Sequence, residues 1–193
     1  MDDEQTERLL LERSRRGDTQ AFGELVTLHR QRIYAVVYQI VRDPDDALDL
    51  VQDTFIKAWR SLASFDGRHK FTTWLHRIST NAAIDLCRKK QRRPQDEWDE
   101  QHFSPDAASH TTPSAPRMPG VSIDEDEIRR RIDAAMARLN PAQRATLVLR
   151  EVEGFSYEEI AEQTGVSTGT VMSRLFHARR NMQNELKDFY GSL

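Results

Sequence analysis

Apolar residues recur at three- and four-residue steps along most of the chain, and no stretch of useful length alternates apolar with polar. Positions three or four apart share one face of a helix, whereas a half-buried strand needs a period of two, so the pattern predicts helices and no sheet. Phe22, Val26, His29, Ile33, Val36, Val37 and Ile40 form one face of a helix that follows Asp18, a side chain suited to the N-cap. Asp43 and Pro44 then supply a cap and a first-turn proline for a second helix, with Ala47, Leu48, Val51, Phe55, Ala58 and Leu62 as its expected buried stripe. A third is expected from about Thr72 to Lys90, burying Leu75, Ile78, Ala82 and Leu86.

The periodicity stops at Pro94. From there to Val121 the chain reads PQDEWDEQHFSPDAASHTTPSAPRMPGV, with five of the seven prolines and no sustained apolar period, which is the composition of a linker. Beyond it, Ser122 and Glu125 have capping-box spacing ahead of Ile128, Ile132, Ala135 and Leu139. Asn140-Pro141 opens another helix, carrying Ala145, Val148, Leu149 and Val152 and ended by Gly154, a residue free to turn left-handed. The expectation is an all-α chain of two small helical domains, 1–93 and 122–193, joined by a flexible acidic, Pro-rich linker over 94–121, with four helices in the second domain.

The last two helices carry a more specific signal. Ser156 and Glu159 make a capping box for the short segment YEEIAEQT, Gly165 breaks it, and Ser167 caps the helix after it. A short helix, a turn containing glycine and a longer helix make a helix-turn-helix, which sets its second helix into the major groove of DNA. On that second helix Val171, Leu175, Ala178 and Met182 fall on one narrow face and point inward. The opposite face presents Gly169, Ser173, Phe176, His177 and Arg180, flanked by Arg174 and Arg179. Phe176 suits apolar contact with thymine methyls, or else a protein partner. Ser173, Arg174 and His177 can donate to base edges or phosphates, while Arg179 and Arg180 suit phosphate.

Composition alters this picture in two places. The net charge of −3 argues against a generally basic nucleic-acid binder, but it is unevenly spread. Residues 1–93 hold 17 Lys and Arg against 14 Asp and Glu, residues 94–121 hold 1 against 5, and residues 122–193 hold 10 against 12. Contact with DNA therefore has to come from local basic faces. Cys87, the single cysteine, excludes an internal disulfide and a multi-cysteine zinc site and reads as a packed small residue. With no apolar run long enough to span a bilayer and a charged N-terminus, the sequence predicts a soluble, cytoplasmic protein without membrane insertion.

The first domain offers two candidate surfaces. Asp45, Asp46, Asp49, Gln52, Asp53 and Lys57 share the solvent face of the second helix; early acids suit the helix dipole, and no further ligand joins them at metal spacing. FDGRHKF, from Phe65 to Phe71, interleaves aromatics with cations and precedes Trp74, a combination suited to an extruded base and its phosphates. The same aromatics can simply plug the bundle, and for Trp74 that is the expectation. Next come a polar stripe of Thr73, Arg77, Asn81, Asp85 and Arg88 and a basic run of Arg88, Lys89, Lys90, Arg92 and Arg93.

The runs DALDLVQDTFIKAWRSLASFDGRHKFTTWLHRISTNAAIDLCRKKQRR and LNPAQRATLVLREVEGFSYEEIAEQTGVSTGTVMSRLFHARR together resemble the bacterial RNA polymerase sigma factors of the sigma-70 family, extracytoplasmic-function group. The resemblance covers both helical domains. It implies a factor that binds core polymerase, recognises −35 and −10 promoter elements and promotes melting, with neither cofactor nor metal nor catalytic residue. By that resemblance Asp49, Gln52, Asp53, Thr54 and Lys57 dock on the clamp helices of the largest polymerase subunit, with the beta subunit also in contact. Phe65, Asp66 and the loop to Phe71 match a pocket for a flipped −10 base, and Arg77, Asn81, Asp85, Arg88 and Lys89 its surrounding contacts. Thr170, Met172, Ser173, Arg174, Phe176, His177, Arg179 and Arg180 match the −35 reader. The acidic linker matches a segment threaded through the polymerase cleft, and the family commonly has an anti-sigma partner. Met172 and His177 stand where family members often carry Arg, and Asp85 where an amide is common, so promoter preference does not transfer.

Two other readings stand beside it. A stand-alone repressor or activator would use the first bundle to dimerise or sense a ligand. An enzyme lacks support, because the chain has no Gly-rich phosphate loop, no HExxH and no nucleophile with a neighbouring base.

Overall fold

The structure, a computed structural model, describes residues 3–92 and 125–190, and among these every regular element is a helix. The N-terminal unit comprises α1 (Asp3–Arg15), α2 (Thr19–Val41), α3 (Pro44–Ser61), a 3₁₀ turn (Leu62–Ser64) and α4 (Phe71–Arg92). The C-terminal unit comprises α5 (Glu125–Ala137), α6 (Pro141–Glu151), α7 (Tyr157–Thr164) and α8 (Thr168–Tyr190). The linker expected over 94–121 and the cap expected at Ser122 lie outside the described residues.

Local chemistry sets most boundaries. Asp18 accepts from the Ala21 N–H at 3.0 Å and Asp43 from the Asp46 N–H at 2.9 Å, so both N-caps take up donors that an α-helix leaves unpaired. Asn140 and Gln143 form a reciprocal box ahead of α6, with Pro141 in its first turn. The expected third helix begins one residue earlier and ends two later, as α4. Helix α1, which no apolar stripe marks in the sequence, packs on α2 through Leu10 and the partly buried Leu11.

Two buried faces differ from the expected ones, each for a geometric reason. On α3 the core-facing residues are Ala47, Leu50, Val51, Thr54, Phe55 and Ala58, while Leu48 is 47% exposed. A face at steps of three and four through Ala47 includes Leu50 and Thr54, and Leu48 lies about 100° away from it. On α4 the buried residues are Phe71, Leu75, His76, Ser79, Thr80, Ala83, Ile84 and Cys87, with Ile78, Ala82 and Leu86 half-buried. This spread is too wide for one amphipathic face. Helix α4 packs on α2 and α3 on one side and on α6 and α7 on the other, so the C-terminal unit covers polar positions that an isolated bundle would leave wet.

Helix α6 is the corresponding element of the second unit. Pro141 and the whole run Arg144–Leu149 are buried, because α6 contacts α8 on one side and α2 and α4 on the other. Val152 lies past its last turn and is 57% exposed, at the edge of an apolar groove that Ile132, Met136 and Leu186 also line.

Phe71 is 1% exposed and ties α4 to α2 and to the turn before it, with ring contacts to His29, Phe65 and Trp74. Truncating a buried phenylalanine removes its transfer energy and leaves a cavity. Phe71→Ala should lower unfolding stability by about 3–5 kcal/mol, read as a lower urea midpoint with little change in slope.

Candidate nucleic-acid interface

The helix-turn-helix is built as its sequence predicts. Ser156 Oγ accepts from the Glu159 N–H at 3.1 Å while Glu159 accepts from the Ser156 N–H at 2.8 Å, closing the capping box of α7. Gly165 ends α7 at φ 66°, in the left-handed region where a side chain is strained, and Ser167 Oγ accepts from the Thr170 N–H at 3.2 Å to start α8. Val171, Leu175 and Ala178 are buried and Met182 is partly so, which fixes the rotation of α8.

That rotation sets Met172, Ser173, Phe176, His177 and Arg180 outward. Phe176 is 60% exposed, and its ring meets that of His177 edge-on at 5.4 Å. Thr170 is less available: it is half-buried, and its hydroxyl lies 3.0 Å from that of Ser167. Arg179 binds Glu151 at 2.6 Å, so a phosphate would have to compete with that carboxylate.

The rings of the aromatic loop pack on one another. Phe65 and Phe71 are buried and Trp74 is half-buried against the same core, and Phe65 and Trp74 line a cavity of about 180 Å³ together with Asp66, His69, Thr73 and Arg77. The loop is pre-shaped. Asp66 accepts from the Arg68 N–H at 3.0 Å around Gly67 at φ 74°, and Arg15 of α1 donates to the Phe65 carbonyl with its guanidinium 5.5 Å from the Phe65 ring centre. Nothing in the sequence pattern singles out Arg15, since its partner is fifty residues away. Further along α4, Asp85 lies 3.7 Å from Arg88, and both are exposed, as is Lys89.

On α3, Asp49, Gln52, Asp53 and Lys57 form an exposed stripe, with Leu48 and Ile56 adding apolar area beside it. Thr54 does not belong to it. Its side chain is turned into the core and its hydroxyl donates to the Leu50 carbonyl at 2.7 Å. Among the described residues no group of His, Cys, Asp and Glu could hold a metal ion, and no helix is long and apolar enough to cross a membrane.

The two units meet along a polar seam that the sequence did not reveal. Glu153, between α6 and α7, has a side chain only 5% exposed; Arg32 of α2 binds its Oε2 at 2.7 Å, and His76 Nε2 of α4 lies 3.2 Å from the same oxygen. The His76 approach lies off the N–H axis, while Arg32 brings both Nε and Nη2 to that oxygen. Burial alone would raise the Glu153 carboxyl, but the contacts from His76 and Arg32 outweigh it and hold the group below the usual carboxylate range. Nearby, Asn81 Nδ2 donates to the Gln163 carbonyl at 3.0 Å, His69 lies 3.5 Å from Glu162, and Arg42 reaches Asp133 at 2.9 Å. The seam is imperfectly paired. Both amide atoms of Gln163, the Thr80 hydroxyl and His76 Nδ1 are buried without a hydrogen-bond partner in the protein, each costing about 1–3 kcal/mol.

Residues 25–93 match the family model described as Sigma-70 region 2, and residues 129–182 that of Sigma-70, region 4. The chain is 37% identical over 182 residues to the RNA polymerase sigma-H factor of Pseudomonas aeruginosa, covering 92% of each. It is 34% identical over 190 residues to the ECF RNA polymerase sigma-E factor of Haemophilus influenzae, covering 97% of this chain and 98% of that one. Among solved structures it is similar to the sigma factor RpoE of Bartonella quintana, in complex with the anti-sigma factor NepR, at TM-score 0.62 and 30% identity over 86% of this chain and 96% of that one.

A carboxyl held below its unfolded value stabilises the fold above the ordinary carboxylate range, and that stability is lost as pH falls through the lowered value. The thermal midpoint of the parent should therefore exceed that of Glu153→Gln at neutral pH, and the two should converge as the pH is taken down towards 3. A gap that stayed constant from pH 7 to 3 would contradict the ionised Glu153.

Proposed function

Because the chain belongs to the sigma-70 family of RNA polymerase specificity factors, in its extracytoplasmic-function group, we propose that its two helical units divide the work of promoter recognition between them. The factor directs core polymerase to promoters and initiates transcription there. On this reading residues 1–93 dock on polymerase and capture the melted −10 strand, residues 122–193 anchor the −35 element, and the protein works in the cytoplasm. It needs no cofactor and forms no covalent intermediate, because selection and melting are binding events.

The observation that carries the assignment is the face of α8: a capped, glycine-turned helix with Phe176 and Met172 exposed beside Ser173, His177 and Arg180. Apolar side chains left in water on the outer face of such a helix suit thymine methyls, and the donors beside them suit base edges and phosphates. Arg174 is half-buried beside this face, and its guanidinium suits a contact with an anion once α8 engages DNA.

The α4 cavity supports the second reader. Trp74 offers a partly exposed ring, Arg77 a cation at the rim and Asp66 an acceptor, over a floor made rigid by Phe65 and Phe71. Opening duplex DNA costs on the order of 1.4 kcal/mol per base-pair step, which stacking on an aromatic ring at about 1–3 kcal/mol per base offsets in part. Polymerase docking falls to Asp49, Gln52, Asp53 and Lys57, with Thr54 supporting α3 from inside. An anti-sigma partner, by analogy with the Bartonella quintana relative, would act by denying one of these surfaces.

Transcription reconstituted from purified core polymerase tests the division. Phe176→Ala and Arg174→Ala should reduce transcripts from a −35-dependent promoter roughly tenfold while core binding is unchanged, since one lost base contact costs about 1–3 kcal/mol. Asp53→Ala should do the opposite, weakening core binding and leaving duplex −35 binding intact. Equal loss of both activities in any one variant would refute the separate surfaces.

A further inference from the structure

We propose that α1 is a working part of the promoter reader: Arg15, at its C-terminal end, is a positioning residue that sets the base-capturing loop between Phe65 and Phe71. The proposal rests on the reading of that loop given above. Helix α1 precedes the residues that match the region 2 model, which begin at 25, so its part in the loop is read from geometry.

Every residue from Asp66 to Lys70 is exposed, and the run is held at either end by the buried rings of Phe65 and Phe71. An exposed run has few packed contacts to fix its backbone, and capture of a base needs its partners already in place. Arg15 supplies the fixed point at the entry. It donates to the Phe65 carbonyl, and its guanidinium lies 5.5 Å from the centre of the Phe65 ring, so one side chain grips both the backbone and the ring of the same residue. The Phe65 C=O and the Asp66 N–H belong to one planar peptide unit, so holding the first orients the second. That plane sets the direction in which the chain leaves for Asp66 and the left-handed Gly67, and with it the mouth of the cavity that Phe65, Asp66, Trp74 and Arg77 line.

Arg15 can hold the loop because it is itself held. Leu10 is buried, and the buried Ser14 hydroxyl donates to the Leu10 carbonyl at 2.7 Å. The turn after α1 closes through Gly17 at φ 90°, whose N–H donates to the Ser14 carbonyl at 3.0 Å. Arg13 Nε donates at 2.9 Å to Asp18, the residue that caps α2, so the end of α1 and the start of α2 form one corner. Further up α1, Glu7 lies 3.7 Å from His29, whose ring meets that of Phe71 edge-on at 5.4 Å, and the charge of Lys70 acts on the Glu7 carboxyl. The helix therefore reaches the loop at both ends, through Arg15 at its entry and Glu7 at its exit. Arg15 is exposed and fills no part of the core, so its removal separates the shape of the loop from the stability of the bundle.

The test uses the full chain with fluorotryptophan in place of tryptophan, the Trp74 fluorine resonance being identified by Trp74→Phe. Arg15→Ala should shift or broaden that resonance while the thermal midpoint moves little. Arg15→Lys, which keeps a cation and a donor, should restore the parent signal, and Arg16→Ala, at an exposed neighbouring position, should leave it in place. With purified core polymerase on a supercoiled promoter, permanganate reactivity of the −10 thymines should fall about tenfold in Arg15→Ala, the effect of losing one hydrogen bond from a charged donor. Core binding and −35 duplex binding should be unchanged, and Arg15→Lys should recover promoter opening. An unmoved Trp74 resonance overturns the positioning role even where opening falls, since Arg15 would then act on DNA directly; a moved resonance with unchanged opening overturns the part in capture. A parent holoenzyme that opens no promoter refutes the promoter-recognition reading and takes this proposal with it, whereas equal opening by the parent and Arg15→Ala refutes the proposal alone.

Discussion

Helix α4 is buried from two sides, and most of the molecule depends on how it meets that constraint. Its inner face, through Phe71, Leu75, Ala83 and Ile84, is ordinary core. Its other face carries polar residues, among them His76, Thr80 and Asn81, and yet packs against α6 and α7. Full apolar complementarity there would weld the units together, and full polarity would leave buried groups unpaired. The compromise is a seam with a few specific pairs, centred on Glu153, and a remainder of unsatisfied atoms.

The polarity of that seam places its electrostatics between the two limits for ion pairs. A pair in water contributes little, and one fully buried is costly to desolvate. Glu153 is nearly enclosed while Arg32 remains more than half exposed, so the guanidinium keeps much of its hydration as it neutralises the carboxylate. His29 and Glu7, 3.7 Å apart, behave differently. Burial lowers the one and raises the other, so both are pushed towards neutral forms and the pair is a polar contact within the bundle.

The legible part of the sequence was local. Caps at Asp18, Asp43, Asn140 and Ser156 act within four residues of themselves, and the glycine at 165 answers to its own backbone angle, so those boundaries and the helix-turn-helix could be read directly. The faces of α8 came from spacing alone. The features that could not be read depend on distant partners: Leu48 lies outside the buried face of α3 and Thr54 inside it because the phase of that helix is set by α2 and α4, and the aromatic loop is held by Arg15 at the Phe65 carbonyl and by His29 against the Phe71 ring. His76 and Glu153 carry no signal at all in one dimension, because each is an unremarkable polar residue until the units meet.

The covalent connection between Arg92 and Glu125 changes what the seam has to achieve. Two separate proteins with so few paired groups between them would stay apart at ordinary concentrations, but units joined in one chain meet at an effective concentration in the millimolar range. Formation of the seam is therefore unimolecular. Its extent is the same whether the cell holds few copies or many, and a rise in expression cannot titrate it away. Only a molecule that binds one unit better than the other unit does can shift the balance, which makes the response depend on the supply of that competitor and not on the abundance of the chain itself.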